Sequence, residues 1–312
     1  MQPKNVKFDV EKQELIKPAL RGLPVSYFVS TFSPDTYGYV NWHWHNAFQY
    51  SLVTKGRVDF LLSGHIYTVS SGNGIFLNYR QIHLIKAHDE KEVSSYICID
   101  VPPSFIAENE HSRIFLRYLK PMMENPTPAA VTFYSRDPDD LEVLDRLRDI
   151  SDLLKGDQEL LELDVKIKTM EIWKWTWKKI KKEPPAAREY SSYDAERLRT
   201  IFTYMADHYG EKILLEDIAS QISVSRAECC RFFKKQTGQS LFDYLTSYRI
   251  NKSLDLLSST DMSIAEIAAS VGFCNQSYYT NRFRSEKKIT PKQFRELSIR
   301  STEFQVNLDI HC

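Results

Sequence analysis

The chain has 312 residues, and its 41 Lys and Arg residues balance its 41 Asp and Glu residues. This length exceeds what one hydrophobic core usually supports, so the sequence predicts two domains. No apolar run approaches the ~20 residues that cross a bilayer, so we expect no membrane partner. The five cysteines form no CxxC pattern, and their odd number favours a reducing cytoplasm over a disulfide-bonded chain.

Residues 1–136 are expected to form an all-β domain. From about Val25 to Val101, short runs rich in Val, Ile, Tyr and Phe alternate with turn signals such as Lys55-Gly56 and Ser63-Gly64. This alternation is typical of a small antiparallel barrel or jelly roll. Residues 1–13, which precede it, are charged and polar, so we expect no secretory signal and a cytoplasmic protein.

Three histidines in this region suggest a site. His43 and His45 are two residues apart, so they project to one face of a strand, where imidazoles can converge. Together with Gln49 and the later His83, they resemble the two motifs of the cupin barrel. In catalytic cupins, such histidines bind a divalent metal together with a glutamate. The resemblance therefore implies a cupin-like barrel with a ligand site inside it.

Gln49 occupies the position at which a metal-binding cupin carries that glutamate. A neutral amide is a weaker ligand for a divalent cation than a carboxylate, so the sequence favours a site without metal or cofactor. The aromatic residues Trp42 and Trp44 are suited to stacking on a sugar ring, although such residues are more often plain core. We therefore predict a cavity for a sugar or related small metabolite, lined by His43, His45, Gln49, Tyr50 and His83.

Residues 137–182 are predicted to form two amphipathic helices, the first beginning with an acidic turn. Each carries an apolar stripe that needs a partner, either a second subunit or the barrel of the same chain. After them, Pro184-Pro185 within residues 183–192 predicts an interdomain linker. The stripes consist of Leu141, Leu144, Leu147, Ile150 and Leu154, then of Leu160, Leu163, Ile167, Met170, Trp173, Trp177 and Ile180.

The last third of the chain contains two similar segments that are 50 residues apart. Each has a short helix ending in alanine, at Ala219 or Ala268, and then a turn and a second helix that carries Phe233 or Phe283. A period of this size predicts two tandem structural units rather than one continuous core. The small residue at the helix end lets the second helix pack closely, as a helix-turn-helix requires.

The second helix of each segment is predicted to have one packing face and one polar face. Ser225 with Glu228 reads as a capping box that starts the first of these helices. Arg, Gln and Asn side chains on the polar faces suit base edges and phosphates. The outward positions include Ala227, Cys230, Arg231 and Lys234 in the first helix, and Gln276, Ser277, Thr280, Asn281 and Arg284 in the second.

Residues 193–300 resemble the DNA-binding domain of the AraC/XylS family of bacterial transcription factors. The resemblance implies seven helices, of which a long one from about Leu241 to Ser258 joins two helix-turn-helix units. A helix of that length spans about 25 Å, which suits two readers in successive major grooves. The matching positions are 215–219, 233–235, Gly238, Ser240, Tyr244-Leu245, Arg249-Ile250, Leu256-Leu257, 264–268, Gly272-Phe273, Ser277, Phe283, Thr290-Pro291 and Phe294-Arg295.

The resemblance also assigns candidate DNA contacts. We expect Arg231 and Gln276 to contribute most, because Ala227 can contact only a thymine methyl group. Asn281 stands where the family usually has Arg, and Lys288 where it usually has Gly, so the second unit is expected to contribute less affinity or a different preference. The predicted contacts are Arg226, Ala227, Cys230 and Arg231 in the first unit, and Gln276, Ser277, Tyr278 and Asn281 in the second.

The resemblance implies a ligand-responsive, sequence-specific transcriptional regulator. The β-domain would bind the effector, and residues 137–182 would pair two subunits, as the corresponding helices do in the family. The expected partners are double-stranded operator DNA, a small-molecule effector, RNA polymerase and a second copy of the chain. We expect an activator and not an enzyme. The alternative is a metal-dependent cupin enzyme, using His43, His45 and His83, with an accessory DNA-binding domain.

Overall fold

The computed structural model describes residues 23–33, 39–62, 64–124, 128–156, 159–182 and 192–297. The chain divides into two compact units, residues 1–199 and 200–312. The predicted linker lies outside the described residues except for its last position, Ser192. Within the described residues, no helix is long and apolar enough to cross a membrane.

The first unit contains two antiparallel sheets, as the sequence predicts. The strands are β1 (Ser26–Phe32), β2 (Tyr39–His43), β3 (Phe48–Lys55), β4 (Arg57–Leu62), β5 (His65–Ser70), β6 (Gly74–Leu77), β7 (His83–Ala87), β8 (Ser94–Val101) and β9 (Ala130–Phe133). One sheet has the order β1-β8-β3-β6-β9 and the other the order β2-β7-β4-β5. Between the sheets lies a core of buried side chains that includes Val53, Phe60, Ile85 and Tyr96.

Strand β3 divides its side chains between two environments. Phe48, Tyr50 and Leu52 belong to a core on the outer face of the five-stranded sheet, whereas Val53 belongs to the core between the sheets. Successive side chains of a strand point to opposite faces, so Gln49 also faces the space between the sheets. Both faces of β3 are therefore covered, which is why its first six residues are all buried.

Two long helices cover the outer face of the five-stranded sheet. They are α3 (Pro138–Leu153) and α4 (Leu161–Lys182), and they follow the shorter α1 (Pro103–Ile106) and α2 (Lys120–Glu124), the latter preceded by a π-helical turn at Phe115–Leu119. Asp137 caps α3 by accepting a hydrogen bond from the Asp139 amide, with Pro138 in the first turn. Leu144 and Trp173 pack in the same core as Phe48. The helices therefore cover the β-domain of their own chain.

The buried face of α4 differs from the predicted stripe. Leu161, Val165, Thr169, Ile172, Trp173 and Thr176 are buried, whereas Leu160, Leu163 and Ile167 are 56%, 61% and 56% exposed. The two threonines explain the difference, because they occupy positions that an apolar pattern does not count. Thr176 is accommodated because its hydroxyl donates to the Ile172 carbonyl at 2.9 Å.

The described part of the second unit is helical. Its helices are α5 (Ser192–His208), α6 (Leu215–Gln221), α7 (Arg226–Thr237), α8 (Leu241–Ser259), α9 (Ile264–Ser270) and α10 (Gln276–Lys287), followed by a helix over 291–297. The division between the two units falls within α5. The seven helices and the long connecting helix agree with the family resemblance. Side chains cap the starts of several helices, as at Ser225, Ser240, Ser263 and Asn275.

Arginine side chains connect successive helices of this unit. Arg249 of α8 donates to the carbonyls of Tyr209 and Glu211, which follow α5, at 2.7 and 2.6 Å. Arg295 donates to the carbonyl of Met262 at 2.6 Å. A β-carbon on Gly272 would lie 2.2 Å from the Tyr209 carbonyl oxygen. Only glycine therefore fits at this position, where the backbone also has a φ of +85°.

Helices α7 and α10 end in the same backbone conformation but with different residues. Gly238 after α7 has a φ of +75°, and Lys288 after α10 has a φ of +63°. Both residues donate their amide to a carbonyl of the preceding turn, at Lys234 and Arg284. This left-handed conformation suits glycine and is strained for residues with a β-carbon.

We predict that Lys288→Gly stabilises the second unit by about 0.5–1 kcal/mol, because it removes that strain. Chemical denaturation of the purified protein measures the change. Lys288→Ala is the control, since it removes the same exposed amine but keeps a β-carbon. An equal gain in both variants would assign the effect to charge and contradict the backbone explanation.

Candidate effector site and DNA-recognition helices

The structure brings His43, His45 and His83 together between the two sheets. His43 ends β2 and pairs with His83 at the start of β7, and the three side chains are no more than 2% exposed. The ring centroids of His43 and His83 are 4.1 Å apart, and those of His45 and His83 are 5.3 Å apart. One ring nitrogen of each residue lies within 4.8 Å of one nitrogen of the others.

Backbone carbonyl groups fix the orientation of all three rings. The Nδ1 atoms of His43, His45 and His83 lie 2.7, 3.1 and 2.9 Å from the carbonyl oxygens of Asn41, Ala47 and Gln81. A carbonyl oxygen can only accept, so each Nδ1 donates a hydrogen bond to its carbonyl. His83 Nε2 is then left as an acceptor, whereas His45 Nε2 is already engaged with Gln49 Oε1.

His83 is the most deeply buried member of the cluster. Its Nε2 has no hydrogen-bond partner among the described residues. Burial is the main cause that holds the pKa of His83 well below its usual value, and the neighbouring His43 and His45 lower it further. The ring is therefore neutral near pH 7, which is the form that accepts a hydrogen bond or binds a metal ion.

Gln49 and Asp100 border the cluster on the adjacent sheet. Gln49 Oε1 lies 2.8 Å from His45 Nε2, and Gln49 is the cross-strand neighbour of Asp100. Asp100 is fully buried, accepts a hydrogen bond from Ser26 Oγ at 2.7 Å and places Oδ1 3.8 Å from His45 Nε2. Sequence reasoning missed Asp100. Its signal is a carboxylate within the otherwise apolar run at residues 96–101 of strand β8.

Tyr50 does not join the histidines, which corrects the predicted grouping. It lies on the opposite face of β3 from Gln49, in the core beneath α4. Its hydroxyl donates to Thr176 Oγ1 at 3.0 Å, and complete burial raises its pKa well above the usual value. Tyr50 therefore connects the sheet to α4 rather than lining the space between the sheets.

The predicted reading helices expose corresponding positions. Position by position, burial along α7 from Arg226 to Lys235 matches that along α10 from Gln276 to Ser285. Cys229 and Phe233 point inward in the first helix, as Tyr279 and Phe283 do in the second. Of the predicted DNA contacts, Cys230 is half-buried, and Arg226, Ala227, Arg231, Gln276, Ser277, Tyr278 and Asn281 are exposed.

Two arginines near the reading surface form ion pairs within the domain. Arg226 pairs with Glu216 of α6, and both side chains are exposed. Arg282 is half-buried and places Nη2 3.3 Å from Asp243 of α8. The arginine beside Asn281 thus pairs with α8, a contact that the sequence pattern did not predict.

Comparison with known proteins gives each unit a family. Residues 26–171 match the AraC-like ligand binding domain, and residues 218–297 match a helix-turn-helix domain. The chain belongs to the AraC family of transcriptional regulators. This confirms the family and the two-domain fold inferred from the sequence.

Relatives of this AraC-family regulator share its length. The uncharacterized HTH-type transcriptional regulator YdeC of Bacillus subtilis is 29% identical over 95% of this chain and 99% of its own. The HTH-type transcriptional activator RhaS of Klebsiella pneumoniae is 24% identical over 81% of this chain and 87% of its own. A 1.65 Å structure of ToxT from Vibrio cholerae, 16% identical, covers 87% of this chain and 97% of its own with a TM-score of 0.46.

We predict that Tyr50→Phe lowers the stability of the β-domain by about 1 kcal/mol, because it leaves the buried Thr176 hydroxyl with one partner fewer. Urea denaturation followed by tryptophan fluorescence measures the loss. Tyr79→Phe is the matched control, since the Tyr79 hydroxyl makes an exposed hydrogen bond of 3.3 Å to Asn46. Equal losses in both variants would rule out a special role for the Tyr50 contact.

Proposed function

We propose that this regulator binds double-stranded operator DNA through α7 and α10, and that a ligand in the β-domain changes this binding. The observation that carries the proposal is the matched exposure of α7 and α10. Two helices with the same inward residues and the same outward positions are what a tandem reader of two groove segments needs. The family membership supports the same conclusion.

Base recognition is assigned to the exposed side chains at the start and middle of each reading helix. Arg231 suits guanine, and Gln276 and Asn281 suit adenine. Arg226 supplies charge for a phosphate. Further polar or apolar contacts are provided by Ala227, Cys230, Ser277 and Tyr278. The 19 residues of α8 span about 28 Å and hold the two helix-turn-helix units at a fixed spacing. That length is close to the roughly 34 Å between successive turns of the major groove.

The effector site is assigned to the space around His43, His45, Gln49 and His83. For an effector to change DNA binding, it must bind two arrangements of the protein unequally. The sequence favours a sugar or related small metabolite as the effector. Calorimetric titration of such compounds, with and without operator DNA, tests the coupling, and identical affinity in both conditions would contradict it.

We further propose that the regulator is an activator that contacts RNA polymerase in the cytoplasm, where its operator lies. RhaS of Klebsiella pneumoniae, named as a transcriptional activator, aligns over most of the chain. An enzymatic role is less well supported, because the neutral amide Gln49 stands where a metal-binding cupin carries a glutamate.

A homodimer is proposed on the exposed face of α4. Leu160, Leu163 and Ile167 are more than half exposed and recur at intervals of three and four residues, which is the spacing of a helix-helix seam. A two-fold axis brings the same stripe of a second copy against it. The face opposite the stripe already packs on the β-domain, so the stripe is free to pair subunits.

Genome-wide mapping of bound sites, followed by binding to the recovered duplexes at low ionic strength, tests DNA recognition by the full-length protein. We expect a clear preference for the recovered sites over random competitor. Equal binding to all duplexes would overturn the proposed function, because nonspecific phosphate contacts alone give no such preference.

Arg231→Ala is predicted to lose about 1–3 kcal/mol of discrimination at one base pair. Competition binding with single-base operator variants measures this loss. Lys234→Ala is the control. Loss of an exposed lysine that contacts a phosphate weakens binding to all sites equally and lowers the slope of log affinity against log salt by about one. An unchanged site preference in Arg231→Ala would remove that residue from the reading surface.

The double variant Leu163→Glu/Ile167→Glu is predicted to be monomeric at concentrations at which the wild type is a dimer, because four like charges would meet in the seam. Sedimentation velocity measures the molecular mass. Glu162→Gln changes an exposed neighbour on the same helix and is expected to leave the dimer intact. A dimer that persists in the double variant would move the subunit contact elsewhere.

A further inference from the structure

We propose that a basic surface near the end of α4 binds the phosphate backbone of duplex DNA, in addition to the contacts made by α7 and α10. The surface consists of Lys174, Lys178 and Lys181 and is called the α4 lysine surface. The inference rests on the proposed function, since it concerns the same DNA. It adds a DNA contact in the unit that carries the candidate effector site.

The three lysines lie on one face of α4. They follow one another at intervals of four and three residues, which is the spacing of neighbours on a helix surface, and all three are exposed. At about 1.5 Å per residue, the first and the last are about 10 Å apart along the helix axis. Residues 173–182 contain five lysines and no acidic residue. The α4 lysine surface is therefore a short row of positive charges.

The carboxylates of the neighbouring helix α3 are occupied by other lysines. Asp140 is buried and lies 2.7 Å from Lys179 Nζ, and Asp139 lies 3.4 Å from Lys182 Nζ. Within the part of the chain that the structure describes, none of the ion pairs of α4 involves the α4 lysine surface. Those ion pairs use Lys168, Glu171, Lys179 and Lys182. Its three charges are therefore available to an anionic partner.

Aromatic rings hold the lysine side chains in place. Lys178 Nζ and Lys174 Nζ lie 3.9 and 5.7 Å from the centroid of the Trp175 ring, and Lys181 Nζ lies 5.0 Å from that of Trp177. These distances are within the range of a cation–π interaction. Both indoles pack against the core beneath α4. The ammonium groups are thus positioned before a partner binds, which reduces the side-chain entropy lost on binding.

The helix dipole does not account for this row of lysines. A lysine in the last turn of a helix is stabilised by the partial negative charge of the C-terminus, and the effect falls off within that turn. Since α4 ends at Lys182, this explanation covers Lys181 but not Lys174 or Lys178, which precede the last turn. Two of the three lysines therefore do not serve the stability of the helix end.

Duplex DNA is the polyanion that the chain itself brings to this surface. It carries one negative charge per about 1.7 Å of its length, so several phosphates face a row of three lysines. Residues 183–191 join α4 to α5, and α5 continues into the unit that carries α7 and α10. A duplex bound by that unit is therefore presented to the α4 lysine surface at a high effective concentration.

An anionic membrane matches the surface less well. A helix that lies on a bilayer inserts an apolar face beside its basic residues. Here Trp175 and Trp177 are half-buried and pack against the core of their own domain. The rings beside the lysines are therefore already in use, and the surface offers charge rather than an apolar face.

The experiment measures binding of the full-length protein to a recovered operator duplex with its flanking sequence, over a series of salt concentrations. In Lys174→Gln/Lys178→Gln/Lys181→Gln, we expect at least tenfold weaker binding at low salt. The slope of log affinity against log salt should become less steep by about 2–3 per bound chain, because each phosphate contact contributes about 0.9. The preference for the operator over random competitor should stay unchanged, since phosphate contacts carry no sequence information.

Two further variants serve as controls. Lys55→Gln/Lys86→Gln/Lys91→Gln removes three exposed lysines elsewhere in the β-domain, so it changes the net charge equally and should leave the slope as in the wild type. Lys174→Arg/Lys178→Arg/Lys181→Arg keeps the charge and should also keep the slope. An equal loss in both glutamine variants would assign the effect to net charge and overturn the inference.

The same proteins are mixed with vesicles of phosphatidylserine and phosphatidylcholine. Vesicle binding that the α4 glutamine variant loses, together with an unchanged slope on DNA, would assign the surface to a membrane and overturn the DNA contact. A wild type that prefers its operator and an α4 glutamine variant with the wild-type slope contradict this inference alone. A wild type without any duplex preference contradicts the proposed function.

Discussion

The two-residue period of strand β3 is the constraint on which the β-domain depends. One face of the strand packs Phe48 and Tyr50 beneath α4, while the other presents Gln49 to the histidines. A shift of one residue in register would exchange these faces, moving the aromatic rings into the polar cluster and the amide into the helix contact. The same register aligns Gln49 with Asp100. The candidate effector site and the contact with α4 are therefore set by one strand.

The second unit depends on a repeated burial pattern rather than on a repeated sequence. Cys229 and Tyr279 differ greatly in volume, yet both are completely buried at corresponding positions. The larger side chain is accommodated because its hydroxyl donates to Ser253 of α8 at 2.8 Å. The outward positions are free of this requirement, so the two helices can carry different side chains there.

Sequence reasoning succeeded where one periodicity or one motif decides the structure. The sheet domain, the seven helices and the convergence of His43, His45 and His83 follow from strand alternation, spacing and the family resemblance. It was wrong for Tyr50, because Tyr50 follows Gln49 on one strand and adjacent strand residues face opposite ways. Sequence reasoning also predicted the wrong buried face for α4, because Thr169 and Thr176 are buried although an apolar pattern does not count them. Asp100 was missed because its strand looks like plain core.

Burial of the histidine cluster bears on how a ligand and DNA binding can be coupled. A site whose side chains are no more than 2% exposed admits a ligand only when the β-domain opens transiently. A ligand that then remains bound stabilises the closed form over the open one, by an amount set by its affinity and concentration. Gln49 faces the histidines and its neighbour Tyr50 contacts Thr176 of α4, so a displacement of β3 at the cluster would also move the contact with α4. If α4 pairs two subunits, ligand binding and the arrangement of the dimer are joined through a single strand.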